Sequence, residues 1–504
     1  MFANILLGIQ TLASAESLLA ILVGLICGII IGAIPGLTAD LAIILCLPIT
    51  YTMDPIPAIL LCLGLYCGGT YGGSITAILI NTPGTPANAA TLLDGYPLTK
   101  QGKPLKALTM ALYASFVGGI FSALVLLFAA PNIAKITMLF GPPEYFCIAI
   151  FGLSIIASVS NGNIAKGLIG AILGVFVSII GMDSISGTVR FSFGIRKLAG
   201  GVPLIVTLVG LFALAELISK SSYNPYTDPA RKQKLTLDRE KLTWAEIKRC
   251  LRHMFTSSII GTLVGATPGT GGGIAAFISY DQAKKTSKNG DNFGKGEIEG
   301  IAASESANNA TTGSTMIPLL TLGIPGDGVT AILLGALMLQ GMVPGPSLFV
   351  NSPDLIYGIM VGLLVVNVFM LIIGRLFTPL YANITRIPYE LMSAMIVVYC
   401  FAGTYSSNSS TFHVMVAVII GIISYILRKL DFPIVPIILG VVLGQLTELN
   451  FRRSMVMSDG SYRIFITRPF SLIFLALAIF SIVWAVYRAI KPKKTPQNAA
   501  GGTQ

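Results

Sequence analysis

The chain has 504 residues, of which 54% are hydrophobic and only 11% charged, with a formal net charge of +11. Soluble domains carry roughly 25% charged residues, so a density below half of that excludes an ordinary water-soluble enzyme or binding module. The positive balance does not point to nucleic acid, because Lys and Arg gather in a few loops, chiefly at 220–252, 284–295, 452–468 and 491–494. That distribution marks loops facing the cytoplasm and anionic lipid.

Apolar runs long enough to span a bilayer recur from residue 18 to residue 490, which predicts a polytopic membrane protein of the all-α class. Alternating ten-residue segments of a membrane barrel are absent. No basic stretch precedes Leu18 and no small-residue cleavage site follows it, so the first apolar helix, 17–34, is expected to be retained. It runs into Pro35-Gly36, where proline interrupts the hydrogen-bond ladder and glycine tolerates the turn. After LTAD comes a short apolar arm, 41–49, closed by Pro48 and Asp54-Pro55. As a helix it would rise about 14 Å, half the hydrocarbon thickness, so it reads as a half-helix or one side of a re-entrant hairpin.

Residues 57–80 read as a span entering the break NTPGTP, followed by an arm at 87–93 and a polar loop at 100–106. Further spans are expected near 105–130, 144–159, 164–181 and 201–219. The mixed segment 183–197 fits either an interfacial stretch or a short extended loop. Residues 221–252 are hydrophilic, with Thr243 and Glu246 spaced as a capping box, and read as an amphipathic connector. A second series then begins, with a helix to Pro268-Gly269, an arm at 274–280, a charged loop, a span at 302–322 into Pro325-Gly326, and an arm at 329–339. Spans near 355–382, 389–403, 411–427 and 433–449 follow, then a last helix at 470–489.

The two series resemble each other. GAIPGLTAD at 32–40 matches GATPGTGGG at 265–273; Gly73-Ser74 matches Gly313-Ser314, and Pro83-Gly84 matches Pro325-Gly326. Later, Pro143-Glu144 answers Pro388-Tyr389-Glu390, and Val202-Pro203 answers Val435-Pro436. The expected organisation is a first transmembrane repeat at 1–225, a cytoplasmic connector at 226–252, and a second repeat at 253–455. A final helix at 456–490 and a disordered tail at 491–504 complete it. Matched helix breaks in two halves predict two pseudo-symmetric repeats, read as inverted, whose interrupted or re-entrant helices meet near the membrane midplane.

Breaking a helix in hydrocarbon frees backbone groups that need protein or a wet cavity around them. Freed N–H groups at a half-helix start can hold a carboxylate; freed carbonyls with Asn, Ser, Thr and Asp side chains suit Na⁺. The candidate substrate site in the first half is therefore Pro35, Gly36, Thr38, Ser74, Asn81, Thr82, Pro83, Gly84 and Thr85. In the second half it is Pro268, Gly269, Thr270, Gly271, Asn309, Thr312, Ser314, Pro325 and Gly326. Asp40, Asn81, Glu305, Asn308 and Asp327 are candidates for coupling to Na⁺ or H⁺, since intramembrane polar groups default to function. Against these stand plainer readings: kinks whose hydroxyls bond back to their own helices, Glu305 at the mouth of a charged loop, and Asp327 as a helix cap. Asp54 and Asp94 read as caps or turn residues.

Seven scattered cysteines and two distant histidines, His253 and His413, make no zinc spacing and no Ser-His-Asp set. No other metal and no cofactor is expected, and there is no Walker A sequence for ATP hydrolysis. An intramembrane aspartyl protease would pair a Tyr-Asp with a GxGD; the chain has IPGDG at 324–328, but Tyr280-Asp281 borders the charged loop. A channel remains the other alternative, without ion coupling.

The motifs GAIPGLTAD, YGGSITAILINTPGTPANAATLLDGYPL and GATPGTGGG, with ESANNATTGSTMIPLLTLGIPGDGVTAILLGAL, resemble the large membrane subunit of tripartite tricarboxylate transporters (TctA type), over about residues 15–450. The resemblance implies a multi-pass permease of the bacterial inner membrane, driven by an ion gradient and without enzymatic activity. Its partners would be a small membrane subunit and a periplasmic solute-binding protein that delivers an organic di- or tricarboxylate. It also implies that the paired Pro-Gly motifs frame the substrate. The halves differ in one respect: Asp40 stands where the second half has Gly273.

Overall fold

A computed structural model of the chain describes residues 2–34, 37–159, 164–183, 185–220, 240–269, 271–378 and 389–490. Pro35, Gly36 and Thr270, residues 226–239 of the expected connector, and the 491–504 tail lie outside the described residues. The backbone is overwhelmingly helical, as expected, and six described helices are long and apolar enough to cross a membrane.

The first series comprises α1 (Phe2–Leu12), α2 (Ala15–Gly32), α3 (Ala39–Thr50) and α4 (Pro55–Ile80), then a 3₁₀ turn at Pro86–Asn88, α5 (Ala89–Lys100) and α6 (Pro104–Thr137). Ser14 caps α2 and Thr38 caps α3. Pro48 does not end the short arm; it sits inside the last turn of α3, which runs on to Thr50. Two more helices, α7 (Pro142–Val159) and α8 (Ile164–Ser178), lead to a hairpin of β1 (Gly181–Met182) and β2 (Val189–Arg190). The segment 183–197 is thus a short extended loop; Asp183 holds its turn, accepting from Ile185 N at 2.9 Å and Ser186 Oγ at 2.8 Å. The chain continues through α9 (Leu204–Leu208), a π-helical stretch at Val209–Leu214, and α10 (Ala215–Lys220).

The second series opens on the expected capping box: Thr243 Oγ1 accepts from Glu246 N, and Thr243 N donates to the Glu246 carboxylate at 2.9 Å. The helix it starts, α11 (Trp244–Gly265), runs unbroken from the hydrophilic connector into the apolar part. There follow α12 (Gly271–Thr286), α13 (Ile298–Ser314), α14 (Met316–Leu322), α15 (Gly328–Leu339), α16 (Leu348–Asn351) and α17 (Pro353–Phe377). The chain closes with α18 (Tyr389–Asn408), α19 (Thr411–Lys429), α20 (Ile434–Met457), α21 (Ile464–Thr467) and α22 (Pro469–Ile490).

These helices form two compact units. The smaller comprises 141–176 and the chain from 431 onward. In it Glu144 is buried and accepts from Gly141 N at 2.8 Å, Arg468 Nε at 2.6 Å and Ser471 Oγ at 3.1 Å. Beside it, the Phe146 ring lies 4.8 Å from Phe465 and 5.2 Å from Phe451. The larger unit, 1–140 with 177–430, contains all the interrupted helices.

Two helices form the centre of the larger unit. Residues 57–79 of α4 and every residue of α13 are buried. Lipid offers no hydrophobic driving force between helices, so close backbone approach through small residues must supply the packing. Along α2 and α4, Gly24, Gly28 and Gly32 interleave with Gly64, Gly68 and Gly72; a Cβ on Gly28 would stand 2.7 Å from Leu65 O, and one on Gly72 2.6 Å from Ile29 O. Small residues also line α13 where it meets α6 and α11: Gly118 fits against Ser306, Gly313 against Ser122, and Gly261 against Ala307.

Candidate functional site

Both long breaks are built the same way. Helix α4 ends at Asn81, whose backbone is left-handed (φ 57°), and the N–H groups of Asn81 and Thr82 both return to Thr76 O. Helix α14 ends at Gly323 (φ 72°), with Ile324 N donating to Pro318 O at 3.2 Å. Each is a left-handed C-terminal cap closed by a bond spanning six residues. Past the cap, the chain folds back along the helix it has just left. Gly84 N donates to Gly73 O at 3.2 Å, and a Cβ on Gly84 would meet Gly73 Cα at 2.5 Å and Gly32 O at 2.6 Å. Likewise a Cβ on Gly326 would stand 2.8 Å from Thr315 Cα, while Gly326 O accepts from Gly269 N at 2.6 Å. Pro83-Gly84 therefore lies at the end of α2, and Pro325-Gly326 beside Pro268-Gly269.

The folding back brings helix starts together around the middles of α4 and α13. Ala39, opening α3, lies against Gly69. The 3₁₀ turn before α5 meets the start of α12: Ala87 faces Gly272 and the Pro86 carbonyl faces Gly273. Gly271, with φ 65°, faces Asp327 at the start of α15. Four chain segments thus bring their starts, with the positive ends of their dipoles, close to one another. Helix α12 opens on three glycines, so no side chain of its own crowds those N–H groups.

Besides Asp40 in the first turn of α3, two carboxylates flank the region. Asp327 is the N-cap of α15, as the plainer reading expects: its Oδ1 accepts from Thr330 N at 2.8 Å and Thr330 Oγ1 at 2.7 Å. Its Oδ2 also accepts from Tyr66 OH of α4 at 2.8 Å, and Tyr66 OH lies 3.3 Å from Thr315 Oγ1. Glu305 is not at the mouth of the charged loop. It is fully buried in the middle of α13, where Oε1 accepts from Asn88 Nδ2 at 3.2 Å and from Thr91, and Oε2 accepts from Ser115 Oγ at 3.1 Å and Asn309 Nδ2 at 3.3 Å.

The other expected residues divide into groups. Thr38 caps α3, with Asp40 half-buried in that helix's first turn. The hydroxyls of Ser74, Thr82, Thr312 and Ser314 bond to carbonyls of their own segments, at Tyr71, Ile80, Asn309 and Ala310. Thr85 donates to Asn88 Oδ1 at 2.6 Å. Asn308 is buried with its carbonyl against Gly272, and its Nδ2 has no partner among the described residues. Asn81 is exposed at the end of α4, three helical turns past Thr70, or roughly 16 Å along the axis, whereas Asn88 donates to Thr70 O at 3.2 Å. From the first series, the asparagine that reaches Glu305 is Asn88.

Asp94 is neither a cap nor a turn residue. It lies inside α5, buried, with Oδ1 accepting from the N–H groups of Gly294, Gly296 and Glu297 at 2.8, 2.9 and 2.9 Å. Its Oδ2 accepts from Tyr280 OH of α12 at 2.8 Å. One carboxylate thereby joins α5, α12 and the charged insertion. Sequence reading did not single out Tyr66, Asn88, Thr91 or Ser115, and weighed Tyr280 only as a protease-like Tyr-Asp; each contacts a carboxylate from a distant element. The one available signal was a hydroxyl, phenol or carboxamide set among small residues inside an apolar span.

The model of the tripartite tricarboxylate transporter TctA family matches residues 18–439. Over 494 residues the chain is 35% identical to an uncharacterized 52.8 kDa protein of the TAR-I ttuC' 3' region of Agrobacterium vitis, covering 98% of both chains. A second Agrobacterium vitis protein, from the TAR-II ttuC' 3' region, is 38% identical over 234 residues, 46% of this chain and 97% of its own length. No solved structure matches. With a motif resemblance, a multi-pass helical fold and a family match that covers both series of breaks, the chain belongs to the tripartite tricarboxylate transporter TctA family.

Proposed function

We propose that this chain is the permease subunit of a binding-protein-dependent secondary transporter that imports an organic di- or tricarboxylate across the bacterial inner membrane. The observation that carries the reading is the meeting of the starts of α3, α5, α12 and α15 around α4 and α13. Converging N–H groups and helix dipoles form a site for anions, and several separate helix starts suit a ligand with two or three carboxylate groups. The matching order of the elements, with each long helix folding back at its break, supports two repeats joined by the connector, which we read as inverted by analogy with other carriers. The basic loops gathered near Lys103, Lys106 and Arg249 support a cytoplasmic placement of that face. A small membrane subunit and a periplasmic binding protein complete the complex, and Glu305 and Asp327 are the carboxylates placed to couple Na⁺ or H⁺ to alternating access.

The test is uptake of labelled di- and tricarboxylates by proteoliposomes holding the complete complex. Uptake is expected only with both an ion gradient and the cognate binding protein. Transport that persists without either one is the behaviour of a channel and would sink the proposal.

A further inference from the structure

Resting on the ion-coupled reading, we propose that a Na⁺ site lies away from the helix breaks, between α6, α13 and α17, formed by Asn309 Oδ1 and Asn367 Oδ1, with the neighbouring Glu305 carboxylate balancing its charge.

Asn309 and Asn367 are each 1% exposed, and the Oδ1 of each has no hydrogen-bond donor among the described residues. Their orientations are fixed by their own nitrogens. Asn309 Nδ2 donates to Ser115 Oγ at 2.8 Å and Glu305 O at 3.1 Å, and Asn367 Nδ2 donates to Leu363 O at 2.8 Å. Turning either amide over would set its oxygen against these carbonyls, so each side chain must leave an acceptor bare. A bare acceptor in a dry interior is costly, so two of them along one seam call for a partner.

They lie along one seam, a helical turn apart on α6. Ser115, which contacts Asn309 and Glu305, stands one helical turn from Gly119 on the same face of α6. Asn367 Oδ1 occupies the space where a side chain at 119 would lie. Gly119 is thus the opening through which α17 delivers an oxygen to the α6–α13 seam.

The charge argument agrees. Asn88 Nδ2 and Asn309 Nδ2 can only donate to Glu305, and Ser115, which accepts from Asn309, gives its own hydrogen to Oε2. The cluster therefore suits an ionised carboxylate, yet no Lys or Arg among the described residues pairs with it. A buried lone charge needs a counter-ion. Two neutral carboxamide oxygens as hard ligands, with one negative charge on the neighbouring Glu305, balance a monovalent cation; a divalent ion would leave a buried excess of positive charge.

The purified complex, in detergent without Na⁺, is titrated with NaCl against choline chloride while its thermal unfolding is followed. The wild type is expected to show a saturable Na⁺-specific rise in Tm. Asn367→Leu, which removes the bare oxygen and keeps the volume, is expected to fold but to need at least tenfold more Na⁺. Asn367→Asp, which keeps the bare oxygen and adds charge, is expected to bind Na⁺ several-fold more tightly. A Na⁺ response in the wild type with the same half-saturation in both variants overturns this placement, as does the lack of any Na⁺-specific shift in the wild type. Binding is measured here without transport, so failure of the permease reading in proteoliposomes is scored separately.

Discussion

Tyr66 belongs to the first series of helices but donates to Asp327 at the start of α15, in the second. A hydrogen bond to a charged group contributes about 1.5–3 kcal/mol in protein interiors, so Tyr66→Phe should lower stability by that order, read as a lower Tm of the purified complex. Gly273 offers a second test. A Cβ there would meet nothing closer than Pro86 O at 3.5 Å, so Gly273→Asp fits sterically and places a carboxylate where the first half carries Asp40. It should strengthen the α12 start by about 0.3–1 kcal/mol, while carboxylate uptake falls by on the order of tenfold or more from like-charge repulsion. Unchanged uptake would remove α12 from the substrate site. At this scale the sequence was partly readable. The glycines and prolines announce the breaks, because few residues tolerate those backbone paths. The partners of Glu305 do not announce themselves: Asn88, Thr91 and Ser115 lie 190 to 217 residues away, and only the folded chain brings them to one carboxylate.

Among elements, the α2–α4 seam is the least forgiving. Gly28→Leu would force apart backbones that now approach within a Cβ's width of Leu65, and overpacking of this kind costs typically 1–3 kcal/mol. Loss of a monodisperse complex, or a Tm reduced to match, is the expected result. The insertion between α12 and α13 depends on Asp94 in a comparable way. Asp94→Ala leaves three N–H groups of 294–297 and the Tyr280 hydroxyl without their acceptor; at about 1–3 kcal/mol for each buried group left unpaired, that loop should open. Amide exchange at 294–297 is expected to quicken at least a hundredfold while exchange in α13 stays slow. Hydropathy located most of the helices, since length and apolarity are local properties. It missed the continuity of α11 through its connector and the three further residues of α3, because helix propensity and a proline's tolerance in a last turn depend on tertiary packing.

On the scale of the molecule, one face of the larger unit gathers its charges. Lys103 and Lys106 pair with Glu240 at 3.0 and 2.9 Å, Lys106 also with Glu246, and Arg249 with Glu297 and Glu299. The Lys106 and then the Lys103 ammonium hold the Glu240 carboxyl below its ordinary value of 4.5. A depressed carboxylate stabilises the fold above that value and ceases to do so as pH falls through the lowered one. Acidification below about pH 4.5 should therefore loosen residues 240–246 before the buried helices, read by exchange or limited proteolysis. Sidedness can be tested on the same face. The native cysteines are all at least half-buried, so Lys288→Cys should react with an impermeant thiol reagent only in inside-out vesicles, and Ser186→Cys, in the β1–β2 hairpin, only in right-side-out cells. Asp94 also has a mechanical consequence. It fastens the middle of α5 to α12 just past its midpoint, through Tyr280, while the starts of both helices form part of the proposed site. Two rods pinned together near their middles cannot part freely at either end; they share a pivot and swing as a pair. Any route that opens between them must be made by α3 and α15 drawing away, so a disulfide locking α5 to α12 should leave transport intact where one locking α3 to α15 arrests it.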